Sequence, residues 1–237
     1  MKKFFGILAV GCCVVLTWQG VRIFNEISKA VSEDPTVWES DMEAFVAESE
    51  RGDLPENPIV LVGSSSFRLW KNMQQDLAPL PVVNRGFGGA RLADIEYWAK
   101  ELVSINSPSA VVVFCGTNDI RPDVYAKPQI LLETYQSFVK RVRASNSELP
   151  IYFVGITPSP SRWSVWNVAQ QTNELISQWS MSERGMYFID TGPALLTENG
   201  EPDPDNYVFD GLHLSDNGYQ IWTSIIKPRL LEDFPPS

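Results

Sequence analysis

The sequence predicts an α/β sandwich built around a parallel sheet of five strands. Five short apolar runs recur along residues 57–190, and each is followed by a turn. Runs with little polar alternation are typical of strands that are buried on both faces. Segments with helical character separate the runs, and such alternation favours right-handed crossovers between parallel strands.

The elements are assigned in chain order from the apolar runs and the helical segments between them. The predicted strands cover residues 59–62, 82–83, 110–114, 151–156 and 186–189. The predicted helices cover residues 37–51, 67–77, 92–105, 129–145, 165–184 and 217–231. No internal repeat and no linker divides this part of the chain, so residues 32–237 are expected to form one domain.

Composition and charge exclude several classes of protein. The chain has 237 residues, 44% hydrophobic and 20% charged, which is ordinary for a globular protein. Its net charge of −10 argues against a nucleic-acid binder that relies on phosphate contacts. One histidine cannot build a metal centre that needs two. Cys12, Cys13 and Cys115 fit neither a paired zinc motif nor a disulfide framework.

Residues 1–31 differ in character from the rest of the chain. Lys2 and Lys3 precede an apolar run over residues 4–18, and a weaker apolar stretch follows it. A positive start before a long apolar run is typical of an export or anchoring signal. We expect residues 4–24 to form an uncleaved membrane anchor, with the N-terminus in the cytoplasm and the domain on the extracytoplasmic side.

Two other fates of this N-terminal segment remain open. Residues 9–12 resemble a lipoprotein box that ends at Cys12, although Ala9 stands where a larger aliphatic residue is usual. A cleaved signal would instead give a secreted protein. A buried helix of the domain is disfavoured, because the run has no polar face.

Candidate functional residues are expected at one edge of the sheet. In such α/β folds, ligands bind beyond the carboxyl ends of the strands. Three predicted strands end in segments suited to chemistry, and a fourth such segment precedes the last helix. These segments are Gly63-Ser64-Ser65-Ser66, Asn84-Arg85-Gly86-Phe87-Gly88-Gly89, Cys115-Gly116-Thr117-Asn118-Asp119 and Asp210-Gly211-Leu212-His213.

Each segment has a structural interpretation beside its chemical one. A serine at a helix start can be an N-cap, glycines can form a tight turn, and Asn118 can form an Asx turn. A lone histidine is more often structural or exposed than catalytic. The chemical interpretation combines a hydroxyl at a helix N-terminus, amide donors, and His213 with a carboxylate three residues away. The joint occurrence of all four in this order favours chemistry.

Together the four segments resemble the sequence blocks of the SGNH, or GDSL-type, hydrolase family. They are similar to its platelet-activating-factor acetylhydrolase-like and lysophospholipase-like bacterial esterases. Ser65 matches the nucleophile, although Ser64 stands where aspartate is usual, and Gly89 matches the glycine block. The resemblance spans the chain from Ile59 to the final helix. It implies a three-layer α/β/α, flavodoxin-like fold and no metal or organic cofactor.

The resemblance also implies a serine esterase with a Ser65, His213 and Asp210 triad. The oxyanion hole would combine the amides of Ser65 and Gly89 with the side chain of Asn118. The expected substrates are acyl or acetyl esters of lipids, sugars or small alcohols, and the oligomeric state is left open. Two rival functions remain: an acyl or acetyl transferase to a sugar or polysaccharide hydroxyl, and a non-catalytic, membrane-tethered binding module.

Contacts to the substrate are expected from four further residues. Arg85 or Arg91 could hold an anionic group beside the site, with solvated loop arginines as the alternative. Arg162 and Trp163 follow the fourth strand, and with Trp166 they could form an aromatic wall or lid. Ordinary structural packing is the alternative for the tryptophans.

Overall fold

The computed structural model describes residue 29, residues 32–124 and residues 126–236. The predicted anchor, residues 4–24, lies outside this part of the chain. Among the described residues, no helix has the length and apolar character needed to cross a membrane.

Five parallel strands form one sheet in the order β2-β1-β3-β4-β5. The strands are β1 (Ile59–Gly63), β2 (Val82–Gly86), β3 (Ala110–Phe114), β4 (Ile151–Val154) and β5 (Met186–Ile189). This is the flavodoxin-like order that the family resemblance implied. The chain leaves β1 toward β2 on one side and β3 on the other, so a crevice opens beyond the carboxyl ends of β1 and β3.

The helices connect these strands and cover both faces of the sheet. The α-helices of the described residues are α1 (Glu39–Glu50), α2 (Ser65–Arg68), α3 (Met73–Asp76), α4 (Leu92–Tyr97), α5 (Ala99–Leu102), α6 (Pro128–Val142), α7 (Trp166–Ser182) and α8 (Asp216–Asp233). Short 3-10 helices lie at Pro35–Trp38, Ser104–Asn106, Pro160–Val165, Pro193–Leu195 and Pro204–Asn206.

Alternation along the strands divides the core into two layers. Val60 and Val62 of β1 pack in a cluster with α1 and α4 to α7. Ile59 and Leu61 point to the opposite face, where they join α2, α3 and α8. Trp222 of α8 is fully buried in this second cluster. The structure is therefore a three-layer α/β/α sandwich, as predicted.

Two predicted helices are interrupted in the structure at tryptophans that make tertiary contacts. The helix predicted at residues 67–77 is divided into α2 and α3. Between them, Trp70 stacks on Tyr219 at 5.5 Å between ring centroids and donates through Nε1 to Asp76. The helix predicted at residues 92–105 is interrupted at Trp98, whose indole donates to the carbonyl of Pro35 at 2.8 Å. Tertiary contacts here override local helical preference.

Strand β2 is longer than predicted because it contains a buried arginine. The side chain of Arg85 is fully buried, and its guanidinium lies 2.5 Å from the carboxylate of Glu48 and 3.0 Å from Oγ of Ser49, both on α1. Burial lowers the pKa of Arg85, and Glu48 opposes that shift. The expectation that Arg85 holds a substrate group is wrong, because its charge is used inside the fold to join β2 to α1.

We predict that Glu48→Leu destabilises the fold by about 3 kcal/mol, because it leaves the Arg85 charge buried and unpaired. Arg85→Met should cost less, since Glu48 is partly exposed and water can solvate its carboxylate. Equilibrium unfolding in urea measures both free energies. Glu50→Leu, an exposed site on the same helix, is the matched control. A loss for Glu48→Leu no larger than for Glu50→Leu would contradict this role of the ion pair.

Candidate active site

Ser65 lies at the first residue of α2, directly beyond the end of β1. The turn depends on Gly63, because a Cβ atom there would lie 2.0 Å from the carbonyl oxygen of Phe114. The next amide, that of Ser64, donates to the same carbonyl at 3.0 Å. β1 and β3 thus meet without an intervening side chain, and the chain turns sharply to present Ser65 over the crevice.

A short hairpin, residues 207–214, carries Asp210 and His213. It is closed by Val208 N–H donating to the His213 carbonyl at 2.9 Å and by a left-handed turn at Gly211, where φ is +63°. Within the hairpin, Oδ1 of Asp210 accepts from the backbone N–H groups of Leu212 and His213 at 2.8 and 3.0 Å. The backbone of its own loop therefore holds the carboxylate in place, in addition to the contact with the imidazole.

Ser65, His213 and Asp210 form a continuous hydrogen-bonded chain. Nε2 of His213 lies 2.8 Å from Oγ of Ser65, and Nδ1 lies 2.6 Å from Oδ2 of Asp210. Burial alone would raise the pKa of Asp210, but the hydrogen bonds from the His213 side chain and from the hairpin backbone outweigh it and hold the pKa below its ordinary value. An ionised Asp210 favours the tautomer that carries its proton on Nδ1, which leaves Nε2 free to accept the proton of Ser65.

The candidate oxyanion donors lie on the loops around Ser65. The Ser65 amide is at the helix start, where an N–H has no partner within its own helix. Gly89 has a φ of +79° in the loop after β2. Asn118, after β3, donates one amide hydrogen to the carbonyl of Ala90 at 3.0 Å, so it is held beside the Gly89 loop. Its second amide hydrogen has no acceptor among the described residues and is available to a ligand.

Two residues without a role in the sequence analysis hold α2 in place. Asn84 donates to the Phe67 carbonyl at 2.7 Å and accepts from the Gly86 amide at 2.8 Å. The hydroxyl of Tyr219, on α8, donates to the Ser66 carbonyl at 2.8 Å. A polar residue at a strand end was a usable signal for Asn84. The position of Tyr219 in the sequence did not indicate this role, because an aromatic residue in a helix usually indicates only core packing.

The remaining predicted substrate residues lie on loops around the same edge of the sheet. Arg91 is bound to Asp94 and to the Ser32 carbonyl, and it lines a cavity of about 300 Å³ beside Asn118. Arg162 and Trp163 belong to the loop after β4. The side chain of Trp163 is half-exposed and stacks on Trp166 with 6.3 Å between ring centroids. Contact of these residues with a substrate stays a prediction.

Asp119, the neighbour of Asn118, is in an unusual electrostatic position. Its carboxylate accepts from the Leu92 amide at the start of α4, with distances of 3.2 and 3.3 Å to its two oxygens. Desolvation raises the pKa of Asp119 to about 7, against the lowering effect of the Leu92 N–H. Asp94 adds to the rise and Arg91 opposes it. Asp119 is thus a titratable group at neutral pH beside the candidate site.

A serine, a histidine and an aspartate in one hydrogen-bonded chain are the arrangement of serine hydrolases. Comparison with known proteins identifies the family. Residues 58–221 match the model of the GDSL-like Lipase/Acylhydrolase family. The chain therefore belongs to this family. The family resemblance predicted from the four sequence segments is therefore confirmed.

Solved structures and a curated relative are similar to the chain at lower identity. A GDSL-like lipase from Bacteroides thetaiotaomicron has a TM-score of 0.69 and 20% identity, over 81% of this chain and 98% of that one. A carbohydrate esterase family 3 protein from Talaromyces cellulolyticus has a TM-score of 0.59 and 18% identity, over 74% and 97%. An N-acylneuraminate cytidylyltransferase from Escherichia coli is 27% identical over 69% of this chain. The chain spans only 38% of the length of that relative.

We predict that Asp119→Asn makes folding stability less dependent on pH. Because the folded pKa lies above the unfolded one, the neutral carboxyl contributes stability that is complete below the unfolded pKa of about 3.9 and is lost as pH rises through about 7. Asparagine cannot ionise, so the variant should lose less stability between about pH 4 and about pH 8. Urea unfolding across this range measures the slope. The exposed Asp53→Asn is the control, and equal slopes for wild type and Asp119→Asn would contradict the shift.

Proposed function

We propose that the chain is a serine esterase that cleaves acyl or acetyl esters of lipids, sugars or small alcohols through a covalent acyl-enzyme. The observation that carries this proposal is the 2.8 Å contact between Oγ of Ser65 and Nε2 of His213, two residues 148 positions apart in the chain. A serine hydroxyl needs an adjacent base to act as a nucleophile, and here it faces the one imidazole of the sequence.

In the first half-reaction, Oγ of Ser65 attacks the ester carbonyl carbon and its proton passes to Nε2 of His213. The tetrahedral intermediate collapses, the bond to the alcohol oxygen breaks, and His213 returns the proton to the departing alcohol. A water molecule then attacks the acyl-Ser65 ester, with His213 again taking and returning the proton. Asp210 stays ionised and stabilises the imidazolium that forms in each half-reaction.

The negative charge of each tetrahedral intermediate needs hydrogen-bond donors. The Ser65 amide, the Gly89 amide and the second amide hydrogen of Asn118 lie on the loops that follow β1, β2 and β3. Loss of one such donor typically lowers the rate by ~100–1000-fold, because the donors are already oriented before charge develops. The tight turns that hold these donors therefore contribute to rate as well as to folding.

Hydrolysis is preferred to transfer of the acyl group to a sugar hydroxyl. The triad chemistry is the same for both, so the choice rests on the family, whose description is lipase and acylhydrolase. The alcohol part of the substrate is proposed only as a class of compounds, because the similar structures include both a lipase and a carbohydrate esterase. The intact chain from Asp210 to Ser65 supports catalysis over a purely binding role.

The central prediction concerns Ser65. Ser65→Ala should abolish labelling by a fluorophosphonate probe and lower hydrolysis of p-nitrophenyl acetate by a factor on the order of 10⁶, because Ser65 is the hydroxyl that is hydrogen-bonded to Nε2 of His213. Ser64→Ala and Ser66→Ala are matched controls on either side and should remain labelled. Normal labelling of the Ser65→Ala protein would refute the assignment of the nucleophile.

The proposed location is the extracytoplasmic side of a membrane, with residues 4–24 as a retained anchor. The support is the sequence alone: two lysines followed by an apolar run. The full chain should sediment with membranes, resist extraction by alkaline carbonate, and begin at its original N-terminus when sequenced. A new N-terminus after residue 18 would contradict this proposal and support the secreted alternative. A lipid on Cys12 would contradict it and support the lipoprotein alternative.

A further inference from the structure

The cavity of about 300 Å³ beside Asn118 has a mixed cationic and aliphatic lining. Arg91, Arg121 and Lys127 contribute its positive charges, and Leu131 is one of its aliphatic side chains. A volume of this size is at the lower end of the range for small-molecule sites. Asn118, which carries a candidate oxyanion donor, is one of the residues that line this cavity.

The positive charges in this cavity are only partly neutralised by the fold. The ammonium group of Lys127 has no ion pair and no hydrogen bond within the part of the chain that the structure describes. Arg121 pairs with Asp123 at 3.1 Å, but that carboxylate is mostly exposed to water. Nε of Arg121 is buried and has no partner among the described residues. Buried N–H groups normally have an acceptor, so the described residues leave part of the Arg121 guanidinium unsatisfied.

A second arginine with an unsatisfied N–H group, Arg162, lies in the segment that follows β4. Its Nε is also buried without a partner among the described residues. Burial lowers the pKa of Arg162, and the positive charge of Arg121 lowers it further, so the two guanidinium groups repel each other. The Arg162 loop touches the hairpin of His213 through the Ser161 amide, which donates to the Gly211 carbonyl at 3.0 Å. Arg162 thus belongs to a segment that contacts the His213 hairpin, whereas Arg121 and Lys127 line the cavity beside Asn118.

We propose that Arg121, Lys127 and Arg162 form a subsite for an anionic group, a carboxylate or a phosphate, that the ester substrate carries. An anion would accept from the Lys127 ammonium and from the guanidinium of Arg121, and it would relieve the repulsion between the arginines. The aliphatic lining would contact the carbon atoms that join this group to the ester. This inference rests on the proposed esterase function, because it takes Asn118 as the place where the ester carbonyl binds.

Two carboxylates share the cavity and limit where the anion can lie. Glu33 and Asp119 line the same space, so the anion must be held at the Arg121 and Lys127 side. Both oxygens of Asp119 lie within hydrogen-bond distance of the Leu92 amide, and its raised pKa leaves it partly protonated at neutral pH. Its repulsion of a bound anion is weaker than that of an ordinary aspartate.

The first experiment compares three aryl acetates that differ in charge, using the full-length protein. They are 4-acetoxybenzoate, its neutral methyl ester, and 4-acetoxyphenyl phosphate. Wild type should have a kcat/KM at least about tenfold higher for one of the anionic esters than for the neutral one, because hydrogen bonds to charged groups are strong. The anionic ester with the higher value identifies carboxylate or phosphate as the preferred group. Equal values for all three esters would overturn the proposal.

Variants then test the named residues. Arg121→Gln, Lys127→Gln and Arg162→Gln should each lower kcat/KM for the preferred anionic ester about tenfold and change the neutral ester less than about twofold. Arg184→Gln is the matched control, because that side chain is 88% exposed and pairs with Glu148 after α7. Equal losses on charged and neutral esters, or no loss on either, would show that these side chains do not bind an anionic group.

A binding measurement separates failure of this subsite from failure of the esterase function. If no acetate ester is cleaved and Ser65 is not labelled, the proposed function fails, and the subsite is judged by binding alone. Calorimetric titration of the Ser65→Ala protein with 4-hydroxybenzoate and with inorganic phosphate should show binding of one of them. Adding Arg121→Gln should raise its Kd about tenfold. Absence of binding, or binding that Arg121→Gln does not weaken, would overturn the subsite.

Discussion

The close approach of β1 and β3 at their carboxyl ends is the constraint on which the rest of the site depends. A side chain at position 63 would collide with the Phe114 carbonyl, and that carbonyl is also the acceptor for the Ser64 amide. The turn out of β1 is therefore as tight as a backbone permits. Its direction determines where Ser65 lies, and the loops after β2, β3 and β4 are arranged around that point. The core beneath it is a double layer of aliphatic and aromatic side chains.

Much of this arrangement follows from the sequence by simple rules. The strands could be located because β1 and β3 are uninterrupted apolar runs, and the rule that ligands bind beyond strand ends then selected Ser65 and Asn118. The proximity of Ser65 to His213 followed from the family resemblance and not from spacing, since 148 residues separate them. Sequence patterns report local periodicity, so contacts between distant segments have to be inferred by other means.

The places where sequence reasoning failed share one physical cause. Arg85 was expected to hold an anionic substrate group or to be a solvated loop arginine, but here Glu48 neutralises it inside the fold. At Trp70 and Trp98, where the predicted helices are interrupted, the indoles contact Tyr219 and the Pro35 carbonyl, both far away in the chain. Each error concerns a side chain whose partner is far away in the chain.

The hairpin of residues 207–214 has a mechanical consequence. Asp210 and His213 are joined by side-chain and backbone hydrogen bonds within one short loop, whereas Ser65 belongs to α2, which follows β1. A displacement of the loop would carry imidazole and carboxylate together as one body, so their mutual geometry would survive the motion. Only the gap to the hydroxyl would open or close. Such a displacement would thus change the distance between Ser65 and His213 without disturbing the charge balance between His213 and Asp210.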